Sequence, residues 1–178
     1  MRRFALATLA LIASTGATWA AGDPATIAKS FYDVYATVHA SDGIPNANER
    51  ASLEPYLSPR LDRLLTDAEA AEARFVGHYK SAPPLVEGDL LTSNFEGATA
   101  FTIRKCESHG AGARCAIDLS YEPQDGHAKP VSWTDRLYFV QTPSGWRIDD
   151  IGYGAITAFG NKGRLSDTLK EVIQDAGA

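Results

Sequence analysis

Two periodicities divide the chain. From Asp23 to Phe75 apolar residues recur every three to four positions, and from about Leu85 to Tyr153 they alternate with polar ones. Asp23-Pro24 provides an N-cap and a proline at the first helical position, and Ile27, Phe31, Val34 and Val38 follow as one stripe of an amphipathic helix. Gly43, Pro45, Asn46 and Asn48 end it. A short helix is expected around Arg50 to Leu57. Ser58-Pro59 then starts a third, with Leu61, Leu64, Leu65, Ala68, Ala71 and Phe75 on its apolar face. Gly77 to Pro84 reads as a loop. The period-two pattern predicts strands over about Leu85 to Ser93, Ala98 to Glu107, Ala113 to Glu122, Val131 to Thr142 and Trp146 to Tyr153. Turn residues separate them: Glu96-Gly97, Gly110-Ala111-Gly112, Pro123-Gln124-Asp125-Gly126 and Pro143-Ser144-Gly145. Leu169, Val172 and Ile173 mark a closing helix of about Ser166 to Gln174. Helices first and a meander afterwards predict an α+β domain in which a curved antiparallel sheet wraps helices on one face.

The first residues belong to a different pattern. Arg2 and Arg3, an apolar stretch from Phe4 to Ala13, and small residues ending Ala17-Thr18-Trp19-Ala20 have the three parts of a secretory signal. Cleavage after Ala20 places Thr18 and Ala20 where signal peptidase requires small side chains. The apolar stretch is about half the ~20 residues that a membrane span needs. No cysteine stands at the processing site, which argues against a lipid-anchored product. Residues 1–20 are therefore expected to be a leader, and residues 21–178 one domain that works in the periplasm or is secreted. Without Arg2 and Arg3 the formal charge moves from -5 to -7. An acidic surface repels phosphate backbones and no Lys/Arg run offsets it, so nucleic acid is excluded as a partner. No later apolar run is long enough to span a bilayer.

Cys106 and Cys115 flank a glycine-rich turn between two strand-like runs, which in an oxidising compartment predicts a hairpin disulfide. A metal pair lacks further ligands at suitable spacing, and a redox pair normally has the Cys-x-x-Cys spacing. Strand parity alone puts Cys106 on the opposite face from Cys115; a bulge near Lys105 would bring them together.

The stretch Ser81-Ala82-Pro83-Pro84-Leu85-Val86-Glu87-Gly88-Asp89-Leu90-Leu91-Thr92-Ser93, continuing through Phe95-Glu96-Gly97-Ala98-Thr99, resembles the exported bacterial proteins grouped as domain of unknown function 3828. The order of elements and the Trp146-Arg147-Ile148-Asp149-Asp150-Ile151 strand resemble the nuclear transport factor 2-like, or cystatin-like, superfamily. The similarity covers roughly Ile27 to Ile173. It implies a cone: a curved sheet around the N-terminal helices, closed by a short C-terminal helix. It assigns no reaction, because the superfamily holds both carboxylate-using enzymes and non-enzymatic binding domains.

Strand parity identifies the candidate site. Asp135 alternates with Val131, Trp133, Leu137 and Phe139; Asp150 with Trp146 and Ile148; Asp89 with Leu85 and Leu91. Three carboxylates on one concavity could raise one another's pKa values, as acid/base chemistry requires. The commoner role of an inward aspartate is to satisfy an arginine, an indole or a backbone amide. Arg104, His78 and Tyr79 are possible complements, whereas Arg136 and Tyr138 face the other way. His39, His78, His109 and His127 are too scattered to bind a metal together, and phosphate-loop, zinc-protease, nucleophile-elbow and dinucleotide motifs are missing, so no cofactor or metal is expected. The leading expectation is non-catalytic binding of a small ligand or an envelope protein on the open sheet face. Trp133, Phe139, Trp146 and Tyr153 would line it, with Asp135 and Asp150 as polar anchors, and a homodimer is possible. The alternatives are a cofactor-independent lyase, isomerase or hydrolase in the same cavity, and an interaction or immunity-type protein with no pocket.

Overall fold

The computed structural model describes residues 22–38, 43–123, 129–154 and 160–177. The leader expected over residues 1–20, His39, His127 and the Gln124-Asp125-Gly126 part of a predicted turn lie outside them. Helix α1 spans Pro24–Val38, and the Asp23 carboxylate accepts the Thr26 amide at 2.8 Å. Its deepest residues are Ala28, Phe31, Tyr32 and Tyr35, while Ile27, Val34 and Val38 lie half-buried at the margin. The predicted stripe is thus rotated toward Tyr32 and Tyr35, of which Tyr35 finds hydrogen-bond partners in the core. Tyr32 stacks on Phe101 with ring centroids 5.3 Å apart.

Helix α2 (Ala47–Leu53) starts earlier than expected because Asn46 caps it, forming a reciprocal box with Glu49. A 3₁₀ turn, Glu54–Tyr56, leads to Ser58, whose hydroxyl accepts the Leu61 amide at 3.0 Å and starts α3 (Pro59–His78). Leu61, Leu65, Ala68 and Ala71 form the buried face of α3. Four antiparallel strands follow in the spatial order of the chain: β1 (Ala100–His109), β2 (Gly112–Tyr121), β3 (Val131–Thr142) and β4 (Gly145–Gly152). Helix α4 (Leu165–Asp175) packs on α3 and β4. The architecture is α+β: among the described residues, four helices and an open four-stranded sheet.

The inner sheet face, with Ile117, Leu119, Trp133, Leu137, Phe139, Ile148 and Ile151, is buried against the helices. Burial of each such side chain stabilises the fold by roughly 1.5–3 kcal/mol. Two bulges interrupt the ladders. In β1 the register shifts between Ile103 and Cys106, so Arg104 and Lys105 both oppose Ala116, and Cys106 falls opposite Cys115. The two cysteines form a disulfide there. In β4 the shift leaves Asp149 as the extra residue.

One predicted strand is not a strand. Leu85 to Ser93 forms bends, with an isolated bridge between Asp89 and Gly43 as its single ladder-like contact among the described residues. Its burial does not alternate: 88–94 are buried continuously, in a loop that turns back on itself through the Asp89 N–H to Phe95 C=O bond of 2.9 Å.

Candidate functional site

Residues Asp89 to Asn94 are buried although they form neither helix nor strand. Backbone polar groups in such a loop need partners, and side chains from distant elements provide them. The Asp89 carboxylate accepts from Tyr35 Oη at 2.6 Å, the Leu91 amide at 2.7 Å and Thr92 Oγ1 at 2.8 Å. Tyr35 Oη in turn accepts the Ala98 amide at 2.9 Å. Tyr153 Oη donates to the Leu90 carbonyl at 2.8 Å, and Asn161 Nδ2 to the carbonyls of Asp89 and Thr92 at 2.6 and 2.7 Å. Gly97, at φ +77°, passes so close to Tyr35 that a Cβ would lie 2.6 Å from its Oη.

Asp135 clamps the same loop from β3. It accepts the Ser93 amide at 2.8 Å, the Ser93 hydroxyl, Trp133 Nε1 at 3.0 Å and the Gly154 amide at 2.8 Å. Burial pushes the Asp89 carboxyl up to about 6 against the pull of its three donors, and the charge of Asp135 adds to the rise. Burial likewise raises the phenols of Tyr32, Tyr35 and Tyr153, with repulsion from Asp89 contributing to each. Tyr32 Oη is buried beside this group with no hydrogen-bond partner among the described residues.

Asp150 is elsewhere. The bulge at Asp149 reverses the parity of β4, so Asp150 pairs with Tyr138 on the outer face while Ile148 and Ile151 face inward. Its carboxylate accepts the Ser166 amide at 3.0 Å, Ser166 Oγ at 2.8 Å and the Ile151 amide at 3.0 Å. Arg164, at the N-cap of α4, offers no capping side chain, and Asp150 fills that role from across the bridge between Gly152 and Arg164. Asp89 and Asp135 therefore come together, and Asp150 does not join them.

The remaining candidates are dispersed. Trp133, Phe139 and Tyr153 are 5 %, 4 % and 9 % exposed and belong to the packed inner face, whereas Trp146 lies half-buried at its margin. Arg104 pairs with Asp118 on the outer face. Arg136 is on that face too, and Tyr138 carries the Arg164 guanidinium 4.0 Å above its ring centre. His78 and Tyr79 lie at the far end of α3, where they line an open cleft of about 930 Å³ with Arg74, Phe75, Lys80 and Asp175.

The chain is similar to the uncharacterized lipoprotein YbjP of Escherichia coli (strain K12), with 28% identity over 151 residues covering 84% of this chain and 77% of the relative. No family model matches.

Sequence reasoning missed Ser93 and Asn161, which complete the loop network, because their partners are distant in the chain; it also missed Asn94, whose side chain closes the turn locally on the Gly97 carbonyl at 2.9 Å. It also missed the outer face as a place where cations gather. That face shows a clear signal only once the strands are in register: Arg104, Lys105, Arg114 and Arg136 surround Ala116.

Proposed function

We propose that the chain is an exported envelope protein that binds a partner or ligand without catalysing a reaction. In this reading residues 1–20 are removed on export, and residues 21–178 form a nuclear transport factor 2-like domain with its cone filled by its own side chains. What carries it is the use of the inward carboxylates. Asp89 and Asp135, the pair that would have to perform acid/base chemistry, are saturated by the protein's own donors, and neither residue is more than 1 % exposed. A group spent on closing a loop is poorly placed to hand protons to a substrate. The disulfide and the similarity to a protein described as a lipoprotein support export. The order of helices and strands supports the superfamily assignment.

One observation favours an enzymatic alternative: the Asp89–Tyr35 pair, with its carboxyl pushed up to about 6, has the composition of a proton-transfer dyad. Its burial is the argument on the other side. Native mass spectrometry of the mature protein taken from its own envelope distinguishes the readings. A retained partner or adduct that survives Asp89→Asn supports binding. A bare protein that turns over a panel of small carbonyl, epoxide and ester substrates, and loses that turnover in Asp89→Asn, overturns it.

A further inference from the structure

The outer face of the sheet concentrates positive charge that the chain scatters in sequence. The β1 bulge sets Arg104 and Lys105 side by side opposite Ala116, and on the other flank Arg136 is the β3 partner of Ala116. Arg114 stands one row along the same face of β2. Two of the acids on this face hold part of the charge: Asp118 pairs with Arg104, and Glu107 lies 3.1 Å from Lys105 and 2.8 Å from Arg114. Those two cations hold the Glu107 carboxyl down at about 2, so it stays charged throughout the ordinary pH range. Arg136 has no acidic partner among the described residues. Arg63, Arg74 and Arg147 likewise have none among the described residues, so what distinguishes Arg136 is its place on one face with Arg104, Lys105 and Arg114.

The floor between these side chains is small. Ala116 offers one methyl group, and Lys105, Glu107, Arg114, Cys115 and Arg136 enclose a shallow concavity of about 240 Å³. The Cys106–Cys115 disulfide ties β1 to β2 immediately beneath it, which fixes the spacing of Lys105 from Arg114. Guanidinium forks and an ammonium around a pinned floor provide several converging N–H donors for clustered anionic oxygens.

We infer that this concavity around Ala116 is a binding site for a compact phosphate group, with Arg136 as its principal ligand and Lys105 and Arg114 as its rim. The inference rests on the binding reading above and names the chemistry of what is bound. An extended polyanion fits poorly, because beyond this face its further charges would meet an acidic molecule. A single phosphate, free or at the head of a lipid, meets Arg136, Lys105 and Arg114, with the one carboxylate of the lining, Glu107, already held between the last two. The acidic remainder of the surface would then orient the protein, cationic face foremost, toward its ligand.

The test has two arms on the full mature protein at constant ionic strength. In the first, inorganic phosphate is titrated while the Ala116 and Cys115 amides and the Arg136 Nε–H are followed by NMR, with chloride as the control. In the second, sedimentation with phosphatidylglycerol vesicles is compared with phosphatidylcholine vesicles. The expected result is a saturable phosphate-specific shift at these positions, or phosphatidylglycerol-dependent sedimentation, that weakens roughly tenfold in Arg136→Gln, in line with loss of one charge-assisted contact. Ala116→Glu, which puts a carboxylate on the floor, should abolish it while leaving the thermal melt of the fold unchanged. The first arm alone responding identifies a free phosphate, and the second a lipid headgroup. Shifts no larger than those with chloride together with no vesicle binding, or equal binding by Arg136→Gln, overturn the inference. If a partner seen by native mass spectrometry persists in both variants, the binding reading stands and this site falls.

Discussion

At the scale of single residues, the carboxylates explain more of the fold than of any chemistry. Asp135 accepts from the backbone of two separate segments and from an indole, so Asp135→Ala should leave several buried donors unsatisfied and cost at least ~3 kcal/mol in urea unfolding. Asp89 makes a prediction in pH. Its folded pKa, about 6, lies above the ordinary 3.8, so the folded state holds a proton that the unfolded chain releases. The stability it contributes is fully present below about pH 3.8 and is lost as the pH rises through about 6, a loss of roughly 3 kcal/mol. Glu107, Asp118, Asp149 and Asp23 have the opposite sign, being held below their ordinary values by arginine, lysine or amide partners, so their contribution is full above their ordinary values of 3.8 to 4.5 and is lost as the pH falls below these through the lowered folded values. Denaturant melts should therefore show greatest stability between about pH 4 and 5, with the decline toward neutrality flattened in Asp89→Asn.

At the scale of elements, what could be read in advance depended on how local the cause was. The helix starts at Asp23-Pro24 and Ser58-Pro59 and the alternation of β2 and β3 are set by neighbours within a few residues, and they appear where expected. The bulge near Lys105 was legible for a similar reason: two cysteines had to face each other. The bulge at Asp149 has no such marker, so simple alternation put Asp150 on the wrong face. The loop around Asp89 was illegible because its partners lie 42 to 72 residues away in Asp135, Tyr153 and Asn161. Only a folded sheet brings them near. Gly154 shows how tightly that junction is packed: a Cβ there would lie 1.9 Å from the Thr134 carbonyl oxygen. Gly154→Ala should force β3 away from the following chain and lower the melting midpoint by several degrees, comparable to a loss of roughly 2 kcal/mol or more. Removing the disulfide with Cys106→Ser and Cys115→Ser, which opens a link of sequence separation 9, should destabilise the fold by roughly 2–3 kcal/mol in thermal unfolding.

At the scale of the whole molecule, the two sheet faces do different work. The inner face is filled by α1 and by the loop, and Trp133 and Phe139 stabilise the fold as part of that packing. The outer face carries charge that composition alone conceals. A chain of net charge -5 gives no hint that Arg104, Lys105, Arg114 and Arg136 gather in one place, because they come from three strands. Any binding through this face should weaken as salt is raised, and a titration of affinity against ionic strength would reveal it.

The β1 bulge also bears on assembly. As the first strand of the sheet order, β1 presents, among the described residues, an unpaired edge of the kind through which chains add to one another end on end. An incoming strand could stay in register only along 100–103 or along 106–109 before the extra residue threw its pairing out of step. Each stretch is shorter than the ~5–6 residues of an ordinary strand. Lys105, 81 % exposed, stands at the break. The kink that brings the cations together thus also protects the protein from runaway polymerisation.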